Sequence, residues 1–171
     1  MIVERKYMKK VIAFAVAALV AAICSSGAGA QDARSIYNKY SDEENVSAVF
    51  ISPSMFRMIG RIPDLDINGS DVNLAGIIKS LKGMYILDCE NARVSSSLKR
   101  DTEKMIDKGR MEMLMEVKDS GETVRIFTGG DEKVINSLVM LTIDAGTCTL
   151  IALDGNMLRA DFEKVIAESM E

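Results

Sequence analysis

Histidine and tryptophan are absent from the 171 residues, and aromatics make up only 5% of them. The missing imidazole removes Ser-His-Asp and Cys-His catalysis and histidine general bases. It also removes the His-containing zinc and copper sites. So few rings make a sugar-stacking platform improbable on composition alone. Proline occurs twice and cysteine three times. Neither a proline-rich linker nor a disulfide-dense miniature scaffold fits these counts.

The N-terminus carries a different kind of signal. Arg5, Lys6, Lys9 and Lys10 precede the uncharged stretch "VIAFAVAALVAAIC", which runs into "SSGAGAQ". A basic segment, a short apolar segment and the small-x-small Ala28-Gly29-Ala30 read as a secretory signal cleaved after Ala30. Met8 offers a second start that leaves the same mature chain. The expectation is a signal peptide over 1–30 and one domain over 31–171. Cys24 sets a rival reading, a lipoprotein anchor. The residue before a lipidated cysteine should be small, and here it is the bulky Ile23, so a lipid anchor at Cys24 is disfavoured. The expected address is periplasmic or secreted, with the outer-membrane lipoprotein as the minority reading. No segment of the mature chain is long and apolar enough to span a bilayer.

Without the signal's four basic residues and one acid, the formal charge moves from −4 to −7. That disfavours nucleic acid and anionic membrane surfaces as partners. Cys89 and Cys148 remain. A bridge between them would close a long loop and stabilise by ~4 kcal/mol in the chain-entropy picture. Two small buried thiols that act as core hydrophobes are the favoured reading, with the disulfide as the minority one. In "MYILDCE" the acids Asp88 and Glu90 share one face, so Tyr85, Leu87 and Cys89 share the buried one.

Hydrophobic spacing sets the elements. Ala33, Ile36, Tyr37 and Tyr40 make a helical stripe, and "VSAVFI" a buried strand. Ser52 caps a helix with Pro53 at its first position and Met55, Phe56 and Ile59 inward. Leu74, Ile77, Ile78 and Leu81 predict a helix ending at Gly83, before the strand "MYILDCE". Another helix carries Leu98, Met105 and Ile106. "MEMLMEVK" and "ETVRIF" form a hairpin about "DSG", and "VINSLVMLTI" and "TCTLIAL" a second about "DAG". "RADFEKVIAESM" closes as a helix. The fold class is α+β: about six strands in a mostly antiparallel sheet, with helices on one face.

Four motifs invite chemistry. "DLDINGSD" places Asp64, Asp66, Asn68 and Gly69 like the first half of a calcium loop, but Ala75 stands where the bidentate Glu belongs. Asp and Asn at a turn before a helix explain it better, so the calcium site is disfavoured. "SSLK", Ser96 to Lys99, matches an acyl-enzyme serine and lysine without the accompanying motifs. Met111, Met113 and Met115 alternate, which could present three thioethers to Cu(I); core filling is the simpler reading. The acid pairs Glu43-Glu44 and Asp131-Glu132 stand beside turns, with nothing to raise a pKa. No catalytic, cofactor-binding or metal-ligating residue is nominated, and no cofactor is expected.

The wording of the chain adds a resemblance. It lies in "IYNKYSDEENVSAVFISPSMFRMI", "MYILDCE", "KVINSLVMLTID" and "CTLIALDGNMLRADFEKVIAESM". Through the patterns "Y..E..V....IS..MF" and "L.G......F..V", nearly all of the mature chain resembles DUF 4252. That is a family of small exported proteins typical of the Bacteroidota, a domain of unknown function. The resemblance implies a single α+β domain and a cell-envelope or secreted address; it transfers no site residue. The leading expectation is a non-enzymatic module binding an envelope protein, with a bare sheet edge as its positive hint. A small-ligand carrier with a methionine-lined pocket between sheet and helices comes second. A hydrolase using carboxylates alone comes last.

Overall fold

The computed structural model describes residues 28–60 and 74–169. The calcium-like stretch, Cys24 and most of the expected signal lie outside those residues. Helix α1 (Ala28–Tyr40) leads to β1 (Val46–Ile51) and the short α2 (Pro53–Ile59). Then come α3 (Leu74–Ser80), β2 (Leu81–Cys89) and the long α4 (Ala92–Lys108). Strands β3 (Glu112–Asp119), β4 (Glu122–Gly130), β5 (Val134–Asp144) and β6 (Thr147–Leu158) follow, and α5 (Arg159–Ser169) ends the chain. No helix among the described residues is long and apolar enough to cross a membrane.

The six strands form one sheet in the order β1-β2-β6-β5-β4-β3, every pair antiparallel. The protein is an α+β fold. Helix α4 carries the chain from β2 near one edge to β3 at the other. A meander then returns strand by strand until β6 pairs with β2. The β3–β4 turn is tight because Ser120 and Gly121 both take positive φ, +47° and +101°, as a twist-matched two-residue hairpin requires.

Local signals start α2 where the sequence placed it. Ser52 Oγ accepts from the Met55 amide at 3.3 Å and Pro53 occupies the first turn of α2. For α4 the cap is Asn91, whose Oδ1 accepts from the Arg93 and Val94 amides; the serines that follow lie inside the helix. Helix α3 stops at Ser80, and Leu81 already belongs to β2. A helical stripe and a strand share Leu81, so spacing alone extended the helix to Gly83.

Two cores result. The larger joins α1 and α4 to one face of the sheet, called here the front. It holds Ile36, Tyr40, Leu87, Leu98, Met105, Val139, Leu141 and Leu150. Tyr37, Phe50 and Tyr85 extend it with ring centroids 5.2 to 6.2 Å apart. Across the helices, Lys39 and the Tyr40 hydroxyl converge on the Asp101 carboxylate. The smaller core gathers Phe56, Ile77, Ile78 and Phe162 of α2, α3 and α5 around Ile51, Met84, Leu138 and Leu153. These four strand residues alternate with Phe50, Tyr85, Val139 and Ala152, so they face the back. The two long helices thus form the one-sided layer, while the three short ones close one end of the sheet and reach its other face.

Leu87 is fully buried in the larger core, whereas Met115 is 45% exposed. Leu87→Ala should cost about 3 kcal/mol and Met115→Ala less than about 0.5 kcal/mol. Urea denaturation of both variants checks the contrast; equal losses would contradict the layering.

Candidate functional site

The back of the sheet is the largest feature that packing leaves unexplained. Register places Val49 opposite Ile86, Ile86 opposite Ile151, Ile151 opposite Met140, Met140 opposite Ile126, and Ile126 opposite Met115. This apolar row crosses the sheet from edge to edge. Val49 and Met115 at its ends are 46% and 45% exposed, and the four between are half-buried. The next row is Ser47, Asp88, Thr149, Thr142, Val124 and Val117. Beyond it, toward the hairpin turns, stand the exposed acids Asp119, Glu122 and Asp144. Neither of these two rows, nor the three acidic positions beyond them, holds Lys or Arg. The opposite end of the face is walled by α2 and α3. Large contiguous apolar patches are uncommon on the surfaces of monomeric soluble proteins.

The free edge of β3 continues it. All eight residues of β3 are exposed. Register shifts between Met113 and Met115, so Leu114 is a bulge. Met113 faces Phe127 and Met115 faces the adjacent Ile126, which puts the two thioethers on opposite sides of the sheet. The single methionine face expected from alternation is therefore not formed. Nor do these side chains fill the core: Met113 is 50% exposed, and Met111 alone of the three packs against the larger cluster. Met55, expected inward on α2, is likewise 48% exposed.

Beneath the helices a second feature stands alone. Asp154 is only 2% exposed and its Oδ1 has no hydrogen-bond partner. Its neighbours in register are Gly83 and Ser137, with Gly129 beyond Ser137. Bulges on β2, β5 and β6 adjoin this row of small residues. Burial raises the Asp154 pKa to about 7, against a smaller opposing effect of Lys82. The carboxyl therefore holds a proton near neutrality. No alignment of residues in the sequence pointed to it, because its partners are brought by register rather than spacing.

The remaining motifs resolve as structural. Ser96 Oγ donates to the Ala92 carbonyl at 2.9 Å, a bond within its own helix. Asp131 Oδ1 accepts from the amides of Lys133 and Val134, and these bonds hold its pKa below the usual carboxylate range. Glu43, Glu44 and Glu132 are exposed. No group of three metal-capable side chains occurs among the described residues. A cleft of about 260 Å³ between α1 and α4 is lined by Ser35, Lys39, Asp101, Lys104, Met105 and Lys108. It is a lysine-rich surface groove, unlike the methionine-lined pocket expected between sheet and helices.

Cys89 and Cys148 are directly opposed in β2 and β6, and both are buried free thiols. Cys89 Sγ donates to the Asn91 carbonyl at 3.6 Å. Burial, followed by the neighbouring Cys89, pushes the Cys148 thiol up to about 12, so little thiolate is available for nucleophilic chemistry.

The profile of the family described as "Domain of unknown function (DUF4252)" matches residues 40–165, most of the chain. No curated protein and no solved structure matches it.

Asp154 fixes a pH dependence. Its folded pKa of about 7 lies above its ordinary value of 3.8. The unfolded state therefore releases the proton first as pH rises, and stability falls between those two values. Asp154→Asn removes that loss. The variant should be more stable than wild type by about 2–4 kcal/mol near pH 8, with the gap closing near pH 4. Thermal scans at both pH values test this; a gap independent of pH would refute the assignment. For the thiols, native reduced protein should resist a bulky disulfide reagent and react fully once unfolded. Rapid native labelling would contradict their burial.

Proposed function

The chain belongs to the DUF4252 family, and on that premise we propose that it is a non-enzymatic protein-binding module of the bacterial cell envelope. The observation that carries this reading is the uncovered apolar row on the back of the sheet. A side chain such as Ile126 or Ile151 gains by leaving water, at about 25 cal/mol per Å² of apolar area removed. An open apolar face with a polar margin suits another protein better than a small molecule, which needs a concave site. Support for a non-catalytic role is chemical. Without imidazole, acid-base work would fall to carboxylates, and among the described residues the one with a strongly raised pKa, Asp154, is almost wholly enclosed.

The envelope address rests on the basic, apolar and small-residue succession over 1–30 and on the acidic mature charge. The carrier reading stays second; its support is the groove between α1 and α4, small for a ligand site.

Photo-crosslinking in intact cells tests the binding role. A crosslinking side chain at Ile126 should yield a defined protein adduct, and one at Arg100 on α4 should not. Met115→Lys should abolish the adduct while leaving the melting temperature almost unchanged. Adducts from Arg100 alone, or from neither position, would count against the back face. Fractionation and N-terminal sequencing of the same cells check export and cleavage after Ala30.

A further inference from the structure

Building on the binding-module reading, we infer that the partner protein docks on the free edge of β1, adding an extended segment that ends in Lys or Arg as a seventh strand antiparallel to Val46–Ile51. Backbone geometry is the first argument. Glu90 donates its N–H to the Asn45 carbonyl at 3.1 Å. From there the register runs from Val46 opposite Cys89 to Ile51 opposite Met84 without a shift. Bonded and non-bonded pairs alternate along an antiparallel ladder. Ser47, Val49 and Ile51 therefore turn their backbone groups to β2. Val46, Ala48 and Phe50 turn theirs outward, where the sheet ends. Outward N–H and C=O groups at this spacing are a template for another strand.

The two edges of the sheet differ. β3 carries devices that discourage strand addition: the bulge at Leu114 and the charged Glu112, Glu116, Lys118 and Asp119. "VSAVFI" has no charge, proline, glycine or bulge. Its six residues at about 3.3 Å each give about 20 Å of regular edge. Side chains are open on both of its faces. Phe50 is 42% exposed on the front and Val49 46% on the back. Phe50 stacks on Tyr85 at 5.2 Å and lies 6.2 Å from Tyr37 of α1. A front-facing apolar side chain of the added strand thus gains an aromatic wall. A back-facing one beside Val49 lengthens the apolar row by one strand. Charge sets the direction and the partner. Asp42, Glu43 and Glu44 immediately precede β1, Glu90 lies beside Asn45, and all are exposed. An antiparallel strand, like every pairing in this sheet, brings its C-terminal end to those acids. The fitting segment therefore alternates apolar residues and finishes on a base. A second copy offers no such complement: its own β1 is uncharged and follows the same acids.

Mapped photo-crosslinking in intact cells tests the edge. A crosslinking side chain at Ser47 should capture a protein segment of alternating apolar residues followed by Lys or Arg, identified by mass spectrometry of the adduct. Ala48→Pro removes an outward N–H that β2 does not use, and should abolish the adduct. Phe50→Lys, at an exposed position, should abolish it without depending on the proline. Made as a peptide, the captured segment should bind the purified protein. Glu43→Lys with Glu44→Lys should weaken that binding about tenfold or more, and Glu122→Lys at the far hairpin should leave it unchanged. Amide exchange gives an independent reading. In the free protein Val46, Ala48 and Phe50 should exchange fast and Ser47 and Val49 slowly, and the peptide should slow the outward amides. Slow exchange at the outward amides of the free protein would overturn the edge. So would an adduct mapped to a partner helix or to a second copy, or one indifferent to both Ala48→Pro and Phe50→Lys. If Ser47 gave no adduct while Ile126 still crosslinked to another protein, the binding-module reading would stand and the added strand would fall.

Discussion

The ladder between β2 and β6 holds the molecule together. Register runs from Cys89 opposite Cys148 to Leu81 opposite Gly155, so residues more than fifty apart in the chain meet at the centre of the sheet. At one end Thr149 Oγ1 donates to Asp88 Oδ1 at 2.7 Å. Leu87, Cys89, Leu150 and Ala152 from these two strands are buried to 1% exposure or less. Helix α4 and the whole β3–β4–β5 meander lie within the loop this pairing closes. Such non-local closure is entropically expensive and slow to form. Once formed, it gives α1 and α4 one continuous surface, and it fixes which residues of every outer strand face front.

Packed and open surface then separate onto the two faces. The front carries the large interlocked side chains, the aromatic trio and the Asp101 cluster joining α1 to α4. At its end the row narrows to Gly83, Asp154, Ser137 and Gly129, and bulges in three strands bend the sheet. That bend lets Leu81, Ile135 and Met157 join the core beneath the short helices. The wall formed by those helices is what limits the open area on the back. Asp154 sits at this bend, an enclosed acid that costs the fold stability as pH rises from 3.8 toward about 7. Such a residue has a cost and no structural partner to explain it.

Alternation and capping made the element order readable, because each rests on neighbours in sequence. Ser52 and Pro53 announce α2; Tyr85, Leu87 and Cys89 announce the buried side of β2. Register is another matter. Nothing local says that Cys148 will stand opposite Cys89, or that glycines and a serine will line up beside Asp154. The bulge at Leu114 defeated the methionine reading for the same reason: one extra residue exchanges the faces of every side chain beyond it. Met55 failed differently. A seven-residue helix at the border of a sheet buries one residue, Phe56, and its spacing cannot say which side that border lies on.

The outward face nonetheless left its mark on the strands. β3 and the first half of β4 alternate apolar with charged residues, as one-sided strands do. "VSAVFI", "MYIL", "SLVML" and "TLIAL" do not alternate; they run apolar on both sides, the composition of strands buried twice. The described helices cover the front of those strands and one end of the back. Ile86, Ile151 and Met140 therefore carry side chains suited to a second layer that the described residues do not provide. A single exposed isoleucine would need no explanation. A row of six, matched across six strands by register and bordered on one end by acids and on the other by the short helices, is a composition that burial of the front alone does not require.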